Sequence, residues 1–408
     1  MRGIRVGIDI GTTTITTAVL RREKDGKVRV LGVGTSASSG LRRGVVVNPE
    51  ETAQSLRRSL QAASRSSGIA VKSAVVGIGG SHLGSFTARG VVAISRADGE
   101  IMEDDVRRVI QAAEGLVPKN PNREVIHLIP REFKVDSQGG ISDPVGMIGM
   151  KLEAEALAID GAKSALSNLI KTCELAGIEI EDWAVSVLAA SELLLTQEQK
   201  ELGVMLLDLG AGTSDFAVFE EGHVLDVGSF PIGGSHITRD LAIGFRTPVA
   251  VAEEVKVRYA QAMTDRSGFK REHIMLSEFI SGNKDVFAAR DLVDIVAARL
   301  SDIFELTTKA LKKIGRAGLL PGGVVLAGGV ADIPGIQDVA RRELKLPVEV
   351  AKAISAENLS EVLPSRLAIP IGLALWPGVQ GSLAFGGGGR AWQRVLEALK
   401  RMLRAFVP

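Results

Sequence analysis

A short segment near the start of the chain, Gly7-Ile8-Asp9-Ile10-Gly11-Thr12-Thr13-Thr14, returns in the middle as Leu207-Asp208-Leu209-Gly210-Ala211-Gly212-Thr213-Ser214-Asp215. In each copy an apolar run (Ile4 to Ile8; Val204 to Leu207) delivers an Asp to a Gly-rich turn, and a second apolar run leaves it (Ile15 to Leu20; Phe216 to Phe219). That pattern predicts a β-hairpin. Gly11, Gly210 and Gly212 lack a Cβ, so their turns can bring backbone N–H groups close to an anion. Thr12, Thr13, Thr213 and Ser214 add hydroxyl donors, and Thr14 and Ala211 complete the two turns. Asp9 and Asp208 would repel phosphate, so their predicted partner is a hydrated magnesium ion bridging phosphates. A single turn of this kind is also an ordinary tight hairpin. Two copies predict a nucleotide, ATP or ADP with Mg2+, held between related halves.

Three further segments suit the same cleft. The strand Val324-Val325-Leu326-Ala327 runs into Gly328-Gly329-Val330, bare backbone against which a base or ribose can lie, though a plain strand-to-helix turn reads the same. Gly233-Gly234-Ser235 opens a helical run and offers free N–H groups and a positive dipole end to a phosphate, or else a simple Ser N-cap. Glu253 and Lys256, three apart on one helix face, form either a ribose grip or a surface ion pair. In their chain order the two turns and the Gly pair resemble the phosphate and adenosine motifs of the actin-like ATPase superfamily. The fold this implies is α/β, a duplicated actin-like (ribonuclease H-like) architecture with two halves around a nucleotide cleft.

Composition bounds the rest. With 408 residues, 45% hydrophobic content and a net charge of +1, the chain has room for several globular domains and no charge excess suited to nucleic acid. The single cysteine, Cys173, forms no internal disulfide, and the five histidines show no metal-ligand spacing. A strand is predicted within a few residues of the start, which leaves no space for a signal peptide. No apolar run reaches the ~18 residues of a membrane span.

Between the hairpins, an amphipathic helix is predicted over 49–67, a buried strand over 73–78, a small α+β insertion over 84–159 and a helix over 163–176. The stretches Gly77-Ile78-Gly79-Gly80-Ser81-His82, Arg89-Gly90-Val91-Val92-Ala93-Ile94, Asp143-Pro144-Val145-Gly146-Met147, Gly233-Gly234-Ser235-His236-Ile237-Thr238 and Ala242-Ile243-Gly244-Phe245-Arg246-Thr247-Pro248 resemble the FtsA family of bacterial cell-division proteins. The resemblance covers residues 4–376. It implies a first actin-like subdomain (1–83, 160–195 and 365–377), an FtsA-type insertion (84–159), a second actin-like subdomain (196–244 and 316–364) and a fourth subdomain (245–315).

The tail carries its own signal. Residues 378–389 read as a Gly-rich linker, and in 390–408 Trp392, Val395, Leu396, Leu399, Met402, Leu403 and Phe406 recur at helical spacing among Arg390, Arg394, Lys400, Arg401 and Arg404. A tethered basic amphipathic helix predicts a reversible anchor on an anionic membrane surface. Each well-buried side chain adds roughly 1.5–3 kcal/mol, each basic residue about 1 kcal/mol, and joined copies add avidity. Docking of this helix on the protein itself or on a partner is the alternative.

The family resemblance implies a peripheral protein on the cytoplasmic face of the membrane at the division site. Its implied partners are the C-terminal peptide of the tubulin-like FtsZ, further copies of itself and later division proteins. It places the peptide on 245–315, where Arg290, Arg299 and Lys309, in a stretch that reads as helical over 286–313, are the candidate cations. It also predicts weak turnover. Related ATPases orient the attacking water with an acid or amide before the second phosphate motif, whereas this chain reads Val185-Ser186-Val187-Leu188-Ala189-Ala190-Ser191 and has no acid until Glu192. Two alternatives share the superfamily: a pilus-assembly adaptor, whose membrane link runs through a partner, and a small-molecule kinase, which has little use for a lipid helix.

Overall fold

The computed structural model describes residues 3–23, 27–118, 120–262, 273–280, 285–351, 353–354 and 363–376. The linker at 378–389 and the amphipathic segment at 390–408 therefore lie outside the described residues.

The duplication seen in the two turns extends to whole sheets. One five-stranded sheet runs Glu179–Val185, Ser73–Ile78, Ile4–Ile10, Thr14–Arg22, Val28–Ala37, and another runs Val348–Val350, Gly323–Ala327, Val204–Leu209, Ser214–Glu220, His223–Phe230. In both, a three-stranded antiparallel meander continues through two parallel strands. The central strand of each carries the Asp to the cleft. Strands buried on both faces need apolar side chains at every position. Val204 and Leu206 accordingly pack into the core of the first half, while Met205 and Leu207 pack into that of the second.

Helix positions follow local signals. The Pro49–Ser67 helix starts where the Asn48 side chain accepts the Glu51 N–H with Pro49 in the first turn, and it ends at Gly68 in the left-handed region. Its buried face, with Leu56, Leu60 and Ala63, covers the first sheet. The predicted helix over 163–176 forms as Lys163–Ala176. The stretch read as helical from 286 begins instead as a strand, Val286–Ala288, paired with His273–Met275. Phe287 stacks there on Phe245 at 4.4 Å, and the helix Ala289–Lys313 follows.

The insertion is a four-stranded sheet, Gly84–Ala93, Lys151–Ala162, Arg123–Val135, Gln138–Ile141, with the helix Glu103–Gly115 packed on one face over its own small core. Its root is clamped: Arg123 donates to both carboxylate oxygens of Asp160 at 2.6 Å and to the His82 carbonyl at 3.0 Å. No helix among the described residues is long and apolar enough to cross a membrane.

Candidate nucleotide cleft

The tips of the two hairpins meet. A Cβ on Gly212 would lie 2.5 Å from Thr12 Oγ1, so only glycine fits there while the halves are closed. Thr12 Oγ1 also accepts the Gly44 N–H at 3.2 Å, which pins the 41–46 hairpin over the first turn. Among the described residues the N–H groups of Thr12, Thr13, Ala211 and Gly212 donate to no other backbone group. They remain available to an anion.

The hairpins open onto a cleft of about 700 Å³. Its lining includes Asp9, Gly11, Thr12, Thr13, Thr14, Asp208, Gly210, Ala211, Gly212, Thr213, Gly234, Ser235, Glu253, Lys256, Gly328, Gly329 and Val330. Ser214 and Gly233, expected to face the ligand, support the wall from behind instead: the buried Ser214 Oγ donates to the Ile232 carbonyl at 2.8 Å, and Gly233 caps the Gly234–Gly244 helix. Gly328, at φ +82°, leaves no space for a Cβ, which would fall 2.4 Å from Asp208 Oδ1. Gly329 faces open space, bare backbone on the cleft wall.

Two more expectations change. The first N–H groups of the 234–244 helix are not free: Gly234 donates to the Gly210 carbonyl at 2.9 Å and Ser235 to that of Ala211 at 2.8 Å. The helix end therefore buttresses the second turn, and Ser235 is no N-cap, since that position belongs to Gly233. Glu253 and Lys256 are more than a surface pair. Lys256 Nζ donates to Glu253 Oε2 at 2.7 Å, to Thr238 Oγ1 at 2.9 Å and to the Gly234 carbonyl at 3.3 Å, so the pair is tied to the same helix end.

Electrostatics single out three carboxylates. Burial pushes Asp208 up to about 8 and Asp9 up to about 7, with Asp215 adding repulsion to both and Asp9 adding to Asp208. Burial also raises Asp215, to about 6, against the pull of the Ser229 and Thr213 hydroxyls and the Gly80 N–H. Such crowding calls for a cation. Among the described residues no three ligand-type side chains converge on one ion; Asp9 and Asp208 are the residues that would hold a magnesium ion, through water.

No acid on the Ser186–Leu194 helix reaches the cleft. Ser186 lines it, but Glu192 turns into a separate cavity of about 570 Å³ beside the insertion and pairs there with Lys200 at 2.9 Å. Asp215 lines the cleft and carried no assigned role in the sequence reading. The signal for it was in the repeat, because the first copy has Thr16 at that place.

The candidate peptide cations form no single patch. Arg299 is committed to Asp240 at 2.7 and 3.0 Å and to Asp302 at 2.9 Å, and Lys309 pairs with Glu305 at 2.6 Å. At about 100° per helical residue, Arg290 points away from Arg299, exposed beside Asp291.

Two duplicated sheets closing on a cleft lined by paired phosphate turns define a member of the actin-like ATPase class. The chain belongs to the FtsA cell-division protein family. Residues 80–159 match the SHS2 domain inserted in FtsA, and residues 205–368 match the cell division protein FtsA itself. The chain is 35% identical to cell division protein FtsA of Pseudomonas aeruginosa over 91% of its length and 88% of that protein's. It is 37% identical to the Bacillus subtilis FtsA over 85% of its length and 78% of that protein's. Among solved structures it resembles the PilM–PilN type IV pilus biogenesis complex (TM-score 0.63, 16% identity, 91% of this chain and 97% of that one). It also resembles MreB5 of Spiroplasma citri bound to ADP (TM-score 0.55, 14% identity, 92% and 96%). Those two likenesses concern fold alone.

Proposed function

We propose that this chain is a nucleotide-clasped membrane scaffold for cell division. It binds ATP with Mg2+ between its halves, assembles with further copies of itself, and ties FtsZ filaments to the cytoplasmic face of the membrane through residues 390–408. The observation that carries the nucleotide reading is the meeting of Gly212 and Thr12, which presents two turns of open N–H groups to one cleft. When bound, magnesium supplies positive charge between the phosphates. Asp9 and Asp208 hold its water shell, the two turns orient the phosphates, and Glu253 with Lys256 faces the ribose. Turnover is slow, because the Ser186–Leu194 helix brings Ser186, Ala190 and Leu194 to the cleft and no acid. The nucleotide then acts chiefly by fixing the relation between the halves.

The membrane and FtsZ roles rest on family membership and on the basic amphipathic pattern of 390–408. The FtsZ C-terminal peptide docks on 245–315, where Arg290 is the most exposed of the three candidate cations. Flotation with liposomes containing anionic lipid tests the anchor: full-length protein should float, and a chain ending at 389 should stay at the bottom. Flotation of the shortened chain would end the anchor reading. Co-sedimentation with FtsZ filaments tests the tether, and full-length protein that stays in the supernatant would exclude direct binding.

A further inference from the structure

The two hairpins pair in the same register, but the residue opposite the leading Asp differs. Asp9 pairs across its hairpin with Thr16, and Asp208 pairs across its own with Asp215. Like charges directly opposite on a sheet are destabilising, so the acid at 215 works against the fold. It is also buried, 9% exposed, and although the Ser229 and Thr213 hydroxyls and the Gly80 N–H face its carboxyl, Oδ1 is left without a hydrogen-bond partner. A buried carboxylate oxygen without a partner in a polar cleft calls for a ligand. The other oxygen, Oδ2, reaches the opposite half, 3.1 Å from where a Cβ on Gly79 would sit, and the Gly80 N–H faces the same carboxyl. Ser186, which leads the helix whose acid, Glu192, turns away from the cleft, also borders Gly79. The carboxylate therefore stands at the seam of the two halves, beside the phosphate turns, on the side that Glu192 leaves unserved.

We propose that Asp215 seats the attacking water, its Oδ1 accepting a hydrogen bond from that water between the Gly79–Gly80 backbone and the terminal phosphate of a bound nucleoside triphosphate. This rests on the nucleotide reading above and adds a working residue to it. In the step it serves, the water oxygen bonds to the terminal phosphorus as the bond from phosphorus to the bridging oxygen breaks. The products are nucleoside diphosphate, inorganic phosphate and one proton released to solvent. The helix before the second phosphate motif brings no acid to the cleft; the fold supplies one from the motif's own last position, on the far strand of the hairpin.

The test uses the full chain and the variants Asp215→Asn and Asp215→Glu. Affinity for ADP and for ADP with aluminium fluoride, which mimics the phosphoryl group in flight with its in-line water, is measured by fluorescent-nucleotide displacement beside single-turnover hydrolysis. Asp215→Asn should bind ADP within about threefold of the parent, lose tenfold or more in affinity for the aluminium fluoride complex, and hydrolyse roughly a hundredfold more slowly, the range for a lost group that orients a reacting water. Asp215→Glu should recover part of both losses. Parallel loss of ADP and ADP–aluminium fluoride binding would mean a structural role and overturn the proposal. Unchanged hydrolysis in Asp215→Asn, or a parent that binds ATP and never cleaves it, would overturn it too and leave the nucleotide reading intact. A parent that binds neither nucleotide would overturn both.

Discussion

The first and second phosphate hairpins are built from the same parts and differ in what their far strands bring to the cleft. Both run Asp, apolar, Gly, and both place an open turn at the seam. The first carries hydroxyls, with Thr12 at the tip and Thr16 opposite Asp9; the second carries Gly212 at the tip and Asp215 opposite Asp208. A tip with a side chain needs a facing tip without one, so the exchange of Thr for Gly lets the halves close. The exchange of Thr for Asp loads the second half with charge that only a cation or an ordered solvent shell relieves. Duplication thus gave the cleft its symmetry, and two substitutions gave the halves separate duties.

The largest effect should come from removing the matched pair. Asp208→Ala should cost magnesium-dependent nucleotide affinity about a hundredfold, the scale on which one member of a buried charged set is lost. Asp9→Ala should cost less, because Asp9 has the smaller burden of neighbouring charge. Calorimetric titration of nucleotide with and without Mg2+ checks this, and equal loss in both conditions would remove the ion from the account. Next comes the tip exchange. Gly212→Thr makes the second turn copy the first and drives a side chain into Thr12, at an overpacking cost of about 1–3 kcal/mol. Adding Thr12→Gly should restore part of the lost melting temperature. A double variant no better than Gly212→Thr alone would show that the tips do not meet in solution.

Titration gives a smaller and more specific signature. Asp9 and Asp208 hold protons near neutral pH that the unfolded chain has already released. Between pH 6.5 and 8 unfolding of the free protein therefore releases protons, and stability falls as pH rises. His82 and His127, held down to about 4, by burial with help from Arg123 for His82 and by burial alone for His127, are neutral in the fold throughout that window; they oppose the trend at its lower edge and weigh most below it. There their charging in the unfolded chain lowers stability as pH falls. Melting temperature of the nucleotide-free protein should thus decline from pH 6.5 to 8, less steeply in Asp208→Asn and hardly at all with Mg2+ and nucleotide bound. A rise with pH in the free protein would contradict the placement of these acids.

How much of this was legible depended on whether the determinant was local. The hairpins were readable because alternation and turn glycines lie within a few residues, and the Lys163–Ala176 helix because its apolar spacing is complete in itself. The N–H groups of Gly234 and Ser235 are not legible as occupied because their acceptors, Gly210 and Ala211, come from the turn of the second hairpin. Arg290 and Arg299 look like one basic cluster in sequence, yet helix phase separates them and Asp240 claims the second. Residues 286–288 carry helix-compatible letters, but pairing with 273–275 draws them into a strand. Asp215 sat in plain view; comparing the two repeats residue by residue exposes it, and judging each motif against an ideal pattern does not.

The smallest expected effect lies away from both hairpins and tests whether the asymmetry stops at the phosphates. Lys256 joins Glu253, Thr238 and the Gly234 carbonyl, so it holds the helix end that buttresses the second turn. The first turn is held differently, by the Gly44 N–H on Thr12 Oγ1 and the Ser38 N–H on the Thr13 carbonyl at 2.9 Å. If Lys256 serves the ribose, Lys256→Met should weaken nucleotides and nucleosides alike, by about five- to tenfold for a lost charge-assisted hydrogen bond. If it serves only the buttress, the loss should appear with nucleotides and vanish with adenosine, which does not touch the turn. Comparing the affinity ratios for ADP and adenosine in the parent and in Lys256→Met separates the two, because each role predicts a different ratio even where the absolute losses are similar.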